Sequence, residues 1–162
     1  MARAIDFLVG GWQVAGGFNV ASGRPFTVYS GFNNFSNVVQ STADCNGCSR
    51  NLGSLIQESG TNFWFSQDAR SRFSNPAAGS VGNTGRNFFI APPQLTLDTS
   101  LSKKFRFNER WSFDLRVDAK NLTNTPNFGL PTATQNAATF GRIRDGVTNN
   151  ARRLQVSGKI IF

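Results

Sequence analysis

Apolar and polar residues alternate with a period of two along much of the C-terminal half of the chain. Between Leu95 and Phe107 the odd positions hold Leu95, Leu97, Thr99, Leu101, Lys103, Phe105 and Phe107, and the even ones hold Thr96, Asp98, Ser100, Ser102, Lys104 and Arg106. Successive side chains of a β-strand point to opposite faces, so this run predicts a strand with one oily and one wet side. The pattern resumes with Trp111, Phe113, Leu115, Val117 and Ala119 against Ser112, Asp114, Arg116, Asp118 and Lys120. The brief interruption at Asn108-Glu109 predicts a hairpin with a very short turn. A third run sets Leu154, Val156, Gly158, Ile160 and Phe162 against Gln155, Ser157 and Lys159, with Ile161 apolar on the wet side. Nearer the start, Trp12, Val14, Phe18 and Val20 alternate with Gln13, Ala15, Asn19 and Ala21 before Ser22-Gly23-Arg24-Pro25 disturbs the order. Gly permits unusual dihedrals and Pro removes a ladder donor, so a bulge or bend is expected there, with the strand continuing through Phe26 to Tyr29. The expected strands are 11–29, 95–107, 110–122 and 152–162.

Two long polar segments, 30–94 and 123–151, separate these strands. In a compact soluble domain a structureless connection beyond about 15 residues counts against the assignment. Outer-membrane barrels, in contrast, pair short periplasmic turns with long outer loops. If Phe162 ends at the periplasmic side, both long segments fall outside and the Asn108-Glu109 turn falls inside. Each strand also meets the roughly 9–11 residues that a tilted strand needs to cross the hydrocarbon layer. The fold class expected is all-β, with antiparallel up-and-down strands forming a partial outer-membrane β-barrel with long outer loops. Because closure needs at least about 8 strands, residues 1–162 are expected to be an incomplete C-terminal barrel segment. Met1 to Gly11 shows no clear signal-peptide cleavage site, and the expectation is that the chain begins inside a larger coding sequence.

Composition sharpens this picture. The chain has 16 Phe, 3 Trp and 1 Tyr, yet is only 39% hydrophobic with a mean hydropathy of -0.28. No window approaches the roughly 18 consecutive apolar residues of a transmembrane helix. Lys and Arg number 17 against 9 acidic residues, a net charge of +8 without His. These cations are scattered rather than clustered, which argues against a nucleic-acid partner. A basic surface suits anionic headgroups or acidic ligands.

Little in the chain suggests chemistry. Cys45-Asn46-Gly47-Cys48 is the one Cys pair; without His or further Cys it lacks a zinc ligand set, and an outer-loop disulfide is expected in an oxidising exterior. Asp98, Asp114, Arg116, Asp118 and Lys120 share the wet strand face and are read as a salt-bridged lumen wall rather than as acid–base catalysts. There is no Ser in a nucleophile elbow and no phosphate-loop ending, so neither an enzyme, a cofactor nor a metal is expected. Trp12, Phe105, Phe107 and Trp111 fall near the same strand ends and suit an interfacial aromatic girdle. Lys103, on the oily face, is expected to reach toward the headgroups.

Several local motifs resemble Oar-like TonB-dependent receptors of the bacterial outer membrane. Gly11-Trp12-Gln13-Val14-Ala15-Gly16, followed by Ser22-Gly23-Arg24-Pro25-Phe26-Thr27-Val28, is similar to a strand these receptors carry before a long outer loop. Gly82-Asn83-Thr84-Gly85-Arg86-Asn87 resembles their glycine-rich approach to the next strand, and Asn121-Leu122-Thr123-Asn124-Thr125-Pro126-Asn127-Phe128-Gly129 the loop after the penultimate one. Phe140-Gly141-Arg142-Ile143 and the run from Ala151 to Phe162 are similar to the last short piece and the closing strand. The resemblance implies a C-terminal fragment of a transporter barrel of about 22 strands with a plug, its parent taking up a bulky nutrient. It also implies that Leu154, Val156, Gly158, Ile160 and Phe162 form the signal read by the barrel-assembly machinery, with Ser157 standing where the family tends to have Gly. The expected partners are outer-membrane lipid, that machinery, and the remaining strands and plug of the parent. The alternative is a soluble extracellular all-β ligand-binding module.

Overall fold

The structure, a computed structural model, describes residues 9–35 and 39–162. Most of the Met1 to Gly11 segment considered above lies outside the described residues. The chain divides into two units, one of Met1–Val20, Leu95–Pro126 and Asn150–Phe162, the other of Ala21–Gln94 and Asn127–Asn149.

The first unit is a four-stranded sheet. Its strands are β1 (Trp12–Ala21), β2 (Gln94–Arg106), β3 (Ser112–Lys120) and β4 (Arg153–Ile161), side by side in that order. The pairs β2/β3 and β3/β4 are antiparallel. β1 also runs against β2, because Gly11 lies by the Lys104 carbonyl and Gly16 by that of Asp98. Strands adjacent in this set are thus adjacent in space, the up-and-down order expected from the sequence. The sheet is not closed among the described residues, and its apolar rows have no second layer above them: Val14 is 79% exposed, Phe18 67% and Val156 67%.

The hairpin between β2 and β3 corrects the expected two-residue turn. Arg106 pairs with Ser112, and the Phe107 amide donates to the Trp111 carbonyl at 3.1 Å. The loop therefore holds three residues, Asn108, Glu109 and Arg110, and the reason is parity. A turn of Asn108-Glu109 alone would pair odd positions with even ones and set oily side chains against wet ones. With Arg110 in the loop, Phe105 faces Phe113 and Leu101 faces Val117. The Asn108 Oδ1 accepts from the amides of Arg110 and Trp111 at 3.0 and 2.7 Å, which fixes this conformation.

The expected first strand, 11–29, ends instead at Ala21. Gly23 presses so closely on Ala91 that a Cβ there would meet the Ala91 carbonyl oxygen at 1.6 Å. Pro25–Phe26 then pairs with Phe89–Ile90 in a separate ribbon. Phe26, Thr27 and Val28 are all buried, so this stretch is covered on both sides and has left the barrel wall.

The second unit corrects the reading of 30–94 and 123–151 as structureless. Further two-stranded ribbons join Tyr29–Phe35 to Val39–Thr42, Asp44–Cys45 to Phe73–Ser74 and Ile56–Glu58 to Thr61–Phe63. Helix α1 (Gln67–Ser71) is capped by the Ser66 Oγ, which accepts from the Ala69 amide at 3.1 Å. The second loop is sewn into the first: the Trp64 amide donates to the Gly141 carbonyl at 2.7 Å and the Ile143 amide to that of Asn62 at 2.9 Å. At the centre Phe65, fully buried, meets the rings of Phe26, Phe73, Phe89 and Phe140 at 5.3 to 6.0 Å. Such tilted and edge-on ring contacts add about 0.5–1.5 kcal/mol per pair beyond the area they bury.

Candidate functional site

The sheet presents two chemically distinct faces. On one, side chains line up across strands as Leu101–Val117–Val156, Phe105–Phe113–Ile160 and Thr99–Ala119–Leu154. On the other the rows are Ser100–Asp118–Gln155, Ser102–Arg116–Ser157 and Lys104–Asp114–Lys159. The residues predicted for the wet face are brought together. Lys120 Nζ sits 2.9 Å from an Asp98 carboxylate oxygen, Arg116 2.9 Å from Asp118, and Lys104 3.9 Å from Asp114. Asp114 lies in register between two lysines. These pairs are exposed to solvent, so they add little to stability; what they do is keep a wall of mixed charge neutralised and wetted.

The aromatic residues gather at one end of the sheet. Trp12 opens β1, Phe105 and Phe107 close β2, and Trp111 precedes β3, with its ring 5.5 Å from that of Phe162. Phe162 itself is 88% exposed. Leu154, Val156, Gly158 and Ile160 follow on the same face of β4, where Gly158 makes room for the Phe113 ring; a Cβ there would stand 2.9 Å from it.

Lys103 behaves differently from the simple expectation that its ammonium reaches out to headgroups. It is only 3% exposed. Its Nζ lies 4.7 Å from the Trp12 ring centre and 5.1 Å from that of Phe105, and donates to the Gly10 carbonyl at 3.1 Å. The chain just before β1 supplies an acceptor within reach, and two ring faces attract the cation. The charge is thus sheltered at the aromatic end of the oily face.

A family model described as an outer membrane beta barrel domain matches residues 2–155. The chain belongs to that family. No curated protein and no solved structure matches it. The barrel wall accordingly sits in the bacterial outer membrane, where barrels of this kind turn alternate side chains to lipid and to the lumen. Uncovered apolar side chains on a sheet one layer thick are what such a barrel wall presents.

In the barrel's loop unit, Cys45 and Cys48 are joined by a disulfide, with Cα atoms 5.7 Å apart. Sequence reasoning missed the residue that holds this turn, Asn83. Its Oδ1 accepts from the Cys45 amide at 2.8 Å and its Nδ2 donates to the Cys45 carbonyl at 3.1 Å, so the side chain stands in for a neighbouring strand. Asn121 was likewise noted only within a motif. It is buried with φ 49°, its Nδ2 donates to the carbonyls of Asn150 and Thr125 at 2.9 and 3.3 Å, and its Oδ1 accepts from the Thr125 amide at 3.1 Å. Asn124 Oδ1 accepts from the Arg152 amide at 3.0 Å. Together they tie the exit of β3 to the entry of β4. The one available signal was the frequency of Asn between strands, because Asn tolerates left-handed dihedrals and bonds to nearby backbone.

Proposed function

We propose that the chain is the C-terminal wall and outer-loop portion of a TonB-dependent receptor-like transporter of the Oar-like kind, whose parent protein takes up a bulky nutrient. The observation that carries this reading is that the long connections between strands of the sheet are not plain loops but fold around their own aromatic core. Ordering nearly a hundred residues costs about 1–2 kcal/mol each in backbone entropy, which a simple structural barrel has no reason to sustain; a receptor that must grasp a ligand does. Three of the five motifs resembling these receptors hold structural joints of this chain, with Asn83 clasping Cys45, Asn121 tying two strands, and Phe140 and Ile143 in the loop core.

In this reading the aromatic end of the sheet is periplasmic and the loop unit faces outward. The final strand is taken up by the barrel-assembly machinery, and further strands and a plug complete the parent. The chain catalyses no reaction, and its partners are lipid and these protein components rather than nucleic acid. Sequencing the genomic DNA upstream of Met1 tests it. An open frame encoding a plug and further alternating strands is expected. A promoter and start site immediately before Met1, with no such frame, overturns it.

A further inference from the structure

The loop unit contains a cleft of about 600 Å³, within the range of about 300–1,000 Å³ usual for small-molecule sites. Pro92, Phe128 and Leu130 are the large apolar residues of its mixed lining, and Arg24, Arg144 and Asp145 bring charge to it. Every cation of this unit is an arginine, since the four lysines, Lys103, Lys104, Lys120 and Lys159, all lie on the sheet. Arginine differs from lysine in offering a planar fork of donors that matches a carboxylate in two places at once. Arg144 is engaged by Asp145, Nε to Oδ1 at 3.2 Å. Arg24 makes no ion pair among the described residues, and its backbone carbonyl accepts from the Ala91 amide at 2.9 Å. The cleft therefore holds two guanidinium groups and one carboxylate, a formal charge of one positive unit.

We infer that this cleft binds an organic monoanion: a molecule with one carboxylate, held by the Arg24 guanidinium, on an apolar or aromatic body that lies against Phe128 and Leu130. The net charge fits one negative group and disfavours a dianion, while the apolar residues of the lining favour a ligand with an organic body over a small inorganic ion that offers nothing to bury. Arg144 and Asp145, already paired, act as the polar rim that orients the ligand. This assignment gives a chemical class to the ligand of the proposed receptor and rests on that reading for its biological meaning. The binding itself does not depend on transport.

The test uses the full chain in detergent micelles and follows the fluorescence of dansylglycine, a monocarboxylate on an aromatic body. Its neutral amide and inorganic phosphate serve as comparisons. Saturable binding of dansylglycine is expected, at least tenfold tighter than the amide, with phosphate failing to displace it at equal concentration. Arg24→Gln should weaken binding tenfold or more, and Arg50→Gln, outside the cleft, should leave it unchanged. Arg24 is exposed and is held through its backbone carbonyl, so its substitution keeps the fold, which circular dichroism checks. Equal binding of acid and amide overturns the proposal, as does displacement by phosphate, insensitivity to Arg24→Gln, or no binding. None of these outcomes bears on the upstream coding sequence, so failure here is distinguishable from failure of the receptor reading.

Discussion

Lys103 shows how one charged residue is accommodated on a surface meant for hydrocarbon. A lysine facing lipid costs about 2–4 kcal/mol at mid-membrane and about 0–1 near the interface. Its position three residues from the end of β2, with the ammonium turned to Gly10, keeps it toward the cheaper level. The ring faces of Trp12 and Phe105 then offset what remains, each cation–π contact being worth about 0.5–2 kcal/mol. Lys103→Met keeps the length of the stem and removes the charge, and Trp12→Leu removes one ring. Urea unfolding of the two single variants and the double variant in micelles should give a coupling of about 0.5–2 kcal/mol. A coupling indistinguishable from zero would mean that the ammonium is solvated by headgroups and the rings are bystanders. The existence of an awkward residue at 103 was readable from alternation alone. Its solution was not, because the partners lie about ninety residues away in the chain and nothing in local pattern joins Gly10 and Trp12 to Lys103.

At the level of strands and turns, parity decides whether the wall faces lipid correctly. The three-residue loop keeps odd positions of β2 opposite odd positions of β3, and the return to β4 sets odd against even, as in Ala119 with Leu154. Replacing Asn108-Glu109-Arg110 by Asn-Gly shortens the loop but leaves Phe107 opposite Trp111, so it should change stability by less than about 1 kcal/mol. Inserting one Ser after Arg116 should be far worse. It turns the remainder of β3 over, carrying Asp118 and Lys120 to the oily face and Val117 and Ala119 to the wet one, at more than about 2 kcal/mol. Gel mobility of unheated samples, which distinguishes folded from unfolded barrel protein, should show the loop variant folded and the insertion variant not; equal mobility of the two would remove parity as the governing constraint. This is also why the wall was legible in the sequence. Period two is a local signal, and it placed three of the four strands within about two residues of their observed ends. It failed at β1 because Phe26 and Val28 happen to continue the even-numbered apolar series, whereas the backbone turns away at Gly23 through a contact with Ala91 that no local pattern encodes.

Over the whole molecule, stability comes from two unlike sources. The wall depends on its strand ladder and on lipid, while the loop unit depends on aromatic side chains brought together from positions as far apart as Phe26 and Phe140. Those phenylalanines show no periodicity, so a reading by pattern sees only a Gly-, Asn- and Ser-rich stretch. Their number was the available clue, for long loops without a core have no use for so many rings. Two separate sources of cohesion predict two separate unfolding events. Phe65→Ala empties the centre of the ring cluster and should cost about 3–5 kcal/mol, a large share of the roughly 5–15 kcal/mol that holds a domain together. Hydrogen exchange should then show the amides of Trp64 and Ile143, which bond across the loop unit, losing protection by orders of magnitude. The amides of Leu101 and Val117, on the two inner strands of the sheet, should stay slow, since the wall gains nothing from Phe65. Simultaneous loss at both sets of amides would show that the loop core and the barrel wall fold as one cooperative body. The loop unit would then be part of what holds the wall together.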